Sequence, residues 1–561
     1  MAVAGRAAAA PRSAAAGSSA PWTALGLSLA LLVAGPLVAL PASFVIDPTA
    51  FGGIASSLLP EALQASLVLA LGVGLGTLLV GGSLAALVTF YDFPGRRWLE
   101  WALVLPLAMP AYVLVFVLLG QYDASSGLQR TLRAVFGEGF QLPEIRSAGG
   151  AIAVLTLVLY PYVYVLGRAA FLEQSRETLE AARTLGLRHG AAIRRVALPM
   201  ARPALAAGMA LAVMESLADF GAVNLLNYRA MTDAIYRVWY GAFDRTAALQ
   251  LATILVSLTL TLVAIERLLR GRARYHGALV RGEAVIPRRL RGARAVLASL
   301  LPAALLVVVI GFPVIQLVAW SIDSAGQGAA AAELARAGAR SLVLATIAAA
   351  LAVTVATILV YGRRMRPSRV GGVATRLTTL GYAVPGTVVA VAVYAPFAWI
   401  DRRMSDLAQS LGLDVGLLLT GSAVGLVVAY LVRFHALAFF AVEARATRMD
   451  PTVDDAARSL GADADRVLAD VHLPLLWPGI LTAALLVFVE VMKELPATAL
   501  LRPLGGDTLA IAVWEATKDS RFDTAALPAL LIVLLGAVPV LALLRQSREG
   551  RLAQDDDVLP R

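Results

Sequence analysis

The heptapeptide Glu180-Ala-Ala-Arg-Thr-Leu-Gly186 is followed by twelve residues and then by Pro199. The same pattern occurs again at Asp455-Ala-Ala-Arg-Ser-Leu-Gly461, with twelve residues before a second proline. Alanine, leucine and arginine favour a short helix, and glycine readily adopts the positive φ that ends one. A second short helix is expected at 189–197 and at 463–472, broken by a Leu-Pro pair before the next apolar span begins. Each copy therefore predicts a helix–turn–helix.

The two copies belong to a repeat of the whole chain. They lie 275 residues apart, and the same offset places Ser-Leu-Val-Leu-Ala of 66–70 on 341–345 and Trp239 on Trp514. It also places Pro110 on Pro385. A constant register over this distance is the mark of a tandem duplication. Because both copies have the same number of apolar segments, the repeat predicts two parallel modules.

The composition indicates a membrane protein. Of the 561 residues, 59% are hydrophobic and only 15% are charged, with a mean hydropathy of +0.75. Apolar runs of 18 or more residues are long enough to cross a bilayer as helices. The sequence predicts an all-α polytopic membrane protein with about twelve transmembrane helices, at 22–46, 63–91, 99–120, 148–172, 201–222, 247–269, 295–321, 341–362, 373–399, 416–441, 476–500 and 525–544. The first run is about 25 residues long, which favours a retained span over a signal peptide.

Charge defines the orientation and the boundaries. The segment 267–294 carries nine arginines and one glutamate, and basic loops mark the cytoplasmic side. The net charge of +10 therefore reflects topology and a lipid bilayer, not a nucleic-acid partner, and both termini are expected in the cytoplasm. The predicted divisions are a disordered cytoplasmic N-terminal tail (1–21), a first module (22–269), a basic cytoplasmic linker (270–294), a second module (295–544) and a cytoplasmic C-terminal tail (545–561).

The duplicated pattern resembles the EAA loop of the permeases of binding-protein-dependent ABC importers. The resemblance implies a MetI-like fold in both six-helix modules, in the plasma (inner) membrane, with a loop in each that docks an ATPase subunit. The residues assigned to the coupling loops are Glu180, Ala181, Ala182, Gly186, Pro199, Asp455, Ala456, Ala457, Gly461 and Pro474. Asp455 departs from the usual glutamate but keeps the carboxylate. The alternative is a surface helical hairpin with no partner.

Nucleotide hydrolysis is expected on another subunit. Neither of the two lysines, Lys493 and Lys518, lies in a Gly-Lys-Ser/Thr phosphate-binding loop. The chain has no cysteine and only four scattered histidines, which excludes disulfides and argues against a tightly bound metal. The sequence therefore predicts that this chain is not itself an enzyme and that it binds no cofactor. The implied partners are a homodimeric ABC ATPase, which uses the ATP, and a solute-binding protein.

Four carboxylates fall inside predicted spans, where ionisable groups are costly and suggest a function. Glu215 and Asp219 lie in the fifth span, and the 275-residue offset places them on Glu490 and Glu494. We expect these four to line the translocation path, where they would attract a hard cation. The alternative is a structural role, in which Lys493 forms a local ion pair with its acidic neighbours.

Two stretches favour a particular cargo. Met492–Pro503 (MKELPATALLRP) and Glu215–Asn224 (ESLADFGAVN) resemble ferric-iron permeases. The resemblance implies ferric iron as the cargo. Thiamine or a phosphonate-type solute remains open as an alternative, as does, more remotely, a secondary transporter that needs no ATPase or a membrane-embedded enzyme.

Overall fold

The computed structural model describes residues 20–122, 126–174, 176–270, 287–324, 328–365, 369–413, 416–450, 452–462 and 466–556. This part of the chain is almost entirely helical. The helices of its first half are Ala20–Ala34, Ala39–Ile46, Ile54–Phe90, Arg96–Ala102, Ala111–Tyr122, Gly127–Phe136, Ala148–Leu172, Arg176–Thr184, His189–Ala192, Leu198–Ala218, Gly221–Leu225, Met231–Tyr240 and Arg245–Arg270. Those of the second half are Ala293–Leu306, Phe312–Ser324, Gly328–Met365, Arg369–Thr379, Gly386–Ser410, Ala423–Ala446, Thr452–Ser459, Leu473–Met492, Pro496–Leu501, Leu509–Lys518 and Phe522–Asp556.

Shorter elements join these helices. Three-ten turns lie at Gly35–Val38, Ala50–Gly52, Leu105–Ala108 and Leu380–Ala383, and π-helical turns at Ile193–Ala197, Val307–Gly311 and Val467–His472. The two strands of the described part, Tyr91–Asp92 and Arg288–Arg289, pair in parallel. The predicted all-α membrane fold is confirmed, with ten helices in the described residues long and apolar enough to span a bilayer, or eleven if one bent pair is included.

The third predicted span of each module is not a straight helix. In the first module, Arg96–Ala108 and Ala111–Tyr122 meet at 89°. In the second, the predicted span 373–399 is divided among a helix, a three-ten turn and a further helix. The break falls at Pro110 and Pro385, since a residue before proline is pushed towards extended backbone. The preceding Met109 and Val384 have ψ values of 110° and 128°.

The fifth span of each module begins earlier than predicted. A single helix runs from His189 to Ala218, and its counterpart runs from Val467 to Met492. The expected break at Leu198-Pro199 is therefore wrong. A π-helical turn precedes each proline, with the Leu198 amide donating to Ile193, five residues back. This shift in hydrogen bonding lets the helix accommodate a proline that would otherwise clash with the carbonyl four residues earlier.

The helices of the second, fourth and fifth spans pack together in both modules. In the first module these helices are Ile54–Phe90, Ala148–Leu172 and Leu198–Ala218, and in the second they are Gly328–Met365, Ala423–Ala446 and Leu473–Met492. In the first module, glycines of the second helix allow close approach to the fourth. A Cβ on Gly72 would lie 2.5 Å from Ile152 Cδ1, and one on Gly76 would lie 2.5 Å from Thr156 Oγ1. Small residues at helix contacts are a main source of stability where lipid replaces water.

The modules interlock. The first helix, Ala20–Ala34, packs on Arg369–Thr379 of the second module, and Phe312–Ser324 of the second module contacts Ala111–Tyr122 of the first. The end of the predicted linker also returns to the first module, where the Leu290 amide donates to the Asp92 carbonyl at 2.8 Å.

The predicted tails and linker are described only in part. Residues 1–19, 271–286 and 557–561 lie outside the described residues. The last helix continues through the predicted C-terminal tail as far as Asp556.

Candidate functional site: a carboxylate-lined cavity and two duplicated loops

A cavity of about 150 Å³ lies between the modules and brings the four predicted carboxylates together. Its polar lining comes from both modules: Tyr112, Tyr162, Glu215, Asp219, Tyr382, Arg433, Glu490, Lys493 and Glu494. The fifth helices end at this cavity, at Ala218 and Met492. The fifth helices of the two modules thus bring their carboxylates to one place.

Asp219 and Glu494 each support the short helix that follows. The Asp219 Oδ1 accepts hydrogen bonds from the amides of Ala222 and Val223 at 2.9 and 3.3 Å. Glu494 accepts from the amide of Ala497 at 2.9 Å and from the amide and hydroxyl of Thr498 at 3.1 and 2.9 Å. A carboxylate at a helix N-terminus satisfies amides that have no partner within the helix. The structural alternative therefore describes a large part of what these two residues do.

Glu490 and Glu215 occupy matching positions but have different partners. Glu490 pairs with Lys493 at 2.8 Å, as the local ion-pair alternative predicts. Among the described residues, Glu215 makes no salt bridge, and its Oε1 accepts from the Tyr382 hydroxyl of the other module at 3.4 Å. Tyr162 of the first module lines the same cavity. Glu215 thus differs from Glu490 in having no direct ion pair within the described residues, although Arg433 and Lys493 both lie near enough to act on its charge.

Arg433 is a second cation in the cavity wall. Its Nη1 lies 3.7 Å from Glu494 Oε1 and, in the described part of the chain, is buried without a hydrogen-bond partner. Four carboxylates therefore face two cations, Arg433 and Lys493. The described ranges contain no group of three or more His, Cys, Asp or Glu side chains placed to hold a metal ion.

The sequence reasoning missed Tyr162, Tyr382 and Arg433. The positions that match them by the 275-residue offset are Leu437, Leu107 and Val158, so a search for shared residues does not find them. Arg433 did carry a usable signal, because it is an ionisable residue inside the predicted span 416–441. The two tyrosines carried none beyond their place in apolar segments.

The duplicated loops have the predicted turn. Gly186 and Gly461 have φ values of +89° and +81°. The amide after the first glycine, of Leu187, donates to the Ala182 carbonyl at 3.2 Å. The corresponding bond in the second loop joins residues 462 and 457 at 3.1 Å. Such bonds satisfy the last carbonyls of a helix, and only glycine takes this backbone conformation without strain.

Each loop presents a similar face to its surroundings. Ala182 and Ala457 are buried, whereas their preceding neighbours, Glu180, Ala181, Asp455 and Ala456, are exposed. Leu185 and Leu460, the residues just before the glycines, are 86% and 88% exposed. The sequence reasoning did not single out these leucines, although both copies have leucine there. Pro199 and Pro474 lie in the continuous fifth helices, away from the turn.

The second loop is anchored by charge. Asp454 lies 2.6 Å from His472 Nε2 and accepts from Arg364 Nε at 2.9 Å. Burial alone would raise the pKa of Asp454, but these hydrogen bonds outweigh it and hold that pKa below its usual value. The matching residue of the first loop is Leu179, which is buried in a hydrophobic cluster with Ala192 and Ala197.

Comparison with known proteins agrees with this architecture. The family described as "Binding-protein-dependent transport system inner membrane component" matches the chain twice, over residues 77–275 and 354–548. The Fe(3+)-transport system permease protein FbpB 2 of Haemophilus influenzae is 27% identical over 92% of this chain and 97% of its own length. The putative 2-aminoethylphosphonate transport system permease protein PhnU of Salmonella choleraesuis is 27% identical over 44% of this chain and 92% of its length. The sulfate transport system permease protein CysT of Salmonella typhimurium is 29% identical over 34% of this chain and 68% of its length.

The two family matches fall on the two modules that the repeat and the fold define. The relatives are permease proteins of transport systems, not enzymes. The apolar helices agree with a multi-pass protein of the inner membrane. The chain belongs to the binding-protein-dependent transport system inner membrane components and is a permease of the ABC importer class, with two family modules in one polypeptide.

Proposed function

We propose that this permease moves ferric iron, delivered by a solute-binding protein, into the cytoplasm, using ATP hydrolysed by a homodimeric ATPase docked on the two duplicated loops. The observation that carries the choice of cargo is the central cavity, where four carboxylates face two cations. Hard cations seek oxygen ligands, and an excess of carboxylate favours a cation over an oxyanion. A relative matched over 92% of this chain, the Fe(3+)-transport system permease protein of Haemophilus influenzae, supports the same choice.

The two loops supply the docking surface in this proposal. Each exposes a leucine beside a glycine turn, Leu185 in one and Leu460 in the other. An exposed leucine held at the tip of a rigid turn suits insertion into a groove on a partner subunit. The arginine-rich segment 267–294 supports placing the loops and both termini in the cytoplasm. Movement of the ATPase pair would then reach the cavity along the fifth helices, which run without a break from His189 to Ala218 and from Val467 to Met492.

Transport by the reconstituted complex tests the proposal. The permease and its ATPase are reconstituted in liposomes with ATP inside and the solute-binding protein outside. Uptake of radioactive ferric citrate into the liposomes is then followed. We expect uptake that requires both the ATPase and the binding protein and that excess thiamine does not reduce. Uptake that persists with a hydrolysis-deficient ATPase would instead indicate a secondary transporter.

A phosphonate-type solute is the second candidate, and Arg433 is the observation that favours it. Its buried Nη1 has no hydrogen-bond partner within the described residues, and arginine binds phosphorus oxyanions well. The same liposomes distinguish the two cargoes. ATP-dependent uptake of 2-aminoethylphosphonate, with no uptake of ferric iron, would replace the ferric proposal.

A further inference from the structure

Three oxygen-bearing side chains meet across the module boundary in the central cavity. Tyr382, in the three-ten turn of the second module, donates to Glu215 of the first module at 3.4 Å. Tyr162, on the helix Ala148–Leu172 of the first module, lines the same cavity as these two residues. The other carboxylates there are engaged, Asp219 and Glu494 with helix amides and Glu490 with a lysine.

We propose that Tyr162, Tyr382 and Glu215 are the direct ligands of ferric iron in transit. This inference rests on the proposed function and deepens it, since it names the donor atoms and makes the cargo the ion itself rather than a large organic chelate. Two phenol oxygens and a carboxylate are hard donors, the kind that a small, highly charged cation prefers. Each phenol gives its proton to water as its oxygen bonds to iron, because a bound cation strongly favours the deprotonated ligand.

The position of the three residues suits transient binding of an iron ion during transport better than its stable retention. Two ligands belong to the first module and one to the second, so any movement of one module against the other separates Tyr382 from its neighbours. The site would therefore be assembled in one state of the transport cycle and taken apart in the next. A ligand set on one module alone would keep its ion through the same movement.

The asymmetry of the modules predicts a single ion. The residues that match Tyr162 and Tyr382 by the 275-residue offset are Leu437 and Leu107, which offer no donor atom. The carboxylates are duplicated, but the phenols are not. The repeat therefore supplies this set of three ligands once, which predicts one ion bound by it at a time.

Spectroscopy of the assembled complex tests the assignment. The full chain with its ATPase is placed in lipid nanodiscs and titrated with ferric citrate. We expect a visible phenolate-to-iron charge-transfer band in the unaltered complex. In nanodiscs the Tyr162→Phe/Tyr382→Phe variant should lose the band. In the liposomes described above, with the solute-binding protein present, it should lower ATP-dependent ferric uptake at least about tenfold. Co-elution with the ATPase shows that each variant still folds and assembles.

Tyr160→Phe is the matched control. Tyr160 lies two residues from Tyr162 on the same helix, but its hydroxyl donates to the Leu103 carbonyl at 3.0 Å, outside the cavity. This variant should keep both the band and the uptake.

The outcomes distinguish this inference from the proposed function. Ferric uptake that is normal in the double phenylalanine variant would overturn the ligand assignment and leave the proposed function intact. Absence of ferric uptake by the unaltered complex would overturn both. Loss of uptake in the Tyr160→Phe control equal to that in the double variant would also overturn the assignment, since the effect would then not depend on the cavity.

Discussion

The two duplicated loops have the same backbone and different anchors. In both, a short helix ends at a glycine with a φ near +80 to +90°, and an exposed leucine precedes the glycine. The first loop is held by Leu179 in an apolar cluster. The second is held by Asp454, which bonds to His472 and Arg364.

The difference shows which features both copies of the loop must share and which features can vary between them. The turn depends on a backbone conformation, and glycine alone adopts that conformation without strain. The anchor needs only a side chain that is satisfied where it is buried, and either apolar packing or a paired charge meets that need. The residues of the central cavity divide in the same way, into positions shared by both modules and positions found in only one. The carboxylates that end the fifth helices are duplicated, whereas the cations, Arg433 and Lys493, come from the second module alone.

The largest expected effect comes from changing both turns. Gly186→Asp with Gly461→Asp should abolish ATP-dependent uptake and ATPase co-purification while the chain still inserts in the membrane. A side chain at positive φ is strained by about 1–2 kcal/mol, and the strain falls on the residues that aim the exposed leucines. Uptake and co-purification are measured on the same membranes.

Gly190→Asp is the control for this prediction. Gly190 lies shortly after the first of these turns, at the start of the fifth helix and without a positive φ, and the matching residue of the second module is already Asp465. It should therefore be tolerated. Normal uptake by the double variant, or equal loss in the control, would contradict the docking role of the turns.

The next largest effect concerns the two matching glutamates of the cavity. Glu215→Gln should lower ferric uptake about tenfold or more, since a charged interaction is worth about 1.5–3 kcal/mol. Glu490→Gln should lower it less, because Glu490 is already paired with Lys493 at 2.8 Å. Initial uptake rates of the two single variants, at matched amounts of protein, provide the comparison. Equal uptake rates in the two variants would contradict the difference proposed between the modules. Uptake rates unchanged from those of the unaltered protein would contradict a role for these carboxylates in the translocation path.

The sequence predicted the features that both modules share. Composition and hydropathy predicted the helices, and the 275-residue offset predicted the parallel modules, the glycine turns and the meeting of Glu215 with Glu490. It did not predict the end of the fifth helix at Ala218, because Asp219 and its bonds to later amides form only in three dimensions. It also misjudged Pro199, since a π-helical turn absorbs the proline. Tyr162 and Tyr382 have no counterparts in the repeat, so only the folded contact between modules identifies them.

A smaller, local effect is expected from exchanging the anchors. Asp454→Leu gives the second loop the residue of the first, but it leaves Arg364 and the fully buried His472 without their carboxylate. Breaking a buried ion pair from one side costs about 3–5 kcal/mol. Limited proteolysis should therefore cut the second loop faster and the first loop at its former rate.

Adding His472→Ala to this variant should recover part of the protection, because the matching residue of the first module is Ala197 and one unpaired polar group is removed. A double variant that is cleaved faster than Asp454→Leu alone would contradict the view that the aspartate and histidine act as a pair.

The smallest expected effect is a response of the second loop to acid. Burial alone would raise the pKa of Asp454, but hydrogen bonds with His472 and Arg364 hold it below the usual value of 3.8. Because the folded pKa is the lower one, this anchor contributes stability above about pH 4 and loses it as the pH falls further. Leu179 does not titrate, so the first loop lacks this response.

The chain has no cysteine, so a nitroxide label can be attached at one introduced site, Ser459→Cys in the second loop or Thr184→Cys at the matching place in the first. Label mobility should rise below about pH 4 at 459 and stay level at 184. Asp450, whose pKa is lowered by bonds to Thr452, lies in the same loop. Asp454→Asn should therefore reduce the rise in mobility at 459 without abolishing it. An equal rise in label mobility at both sites would mean that acid acts on the whole protein and not on the Asp454 anchor. The two loops would then differ in their contacts but not in their stability towards acid.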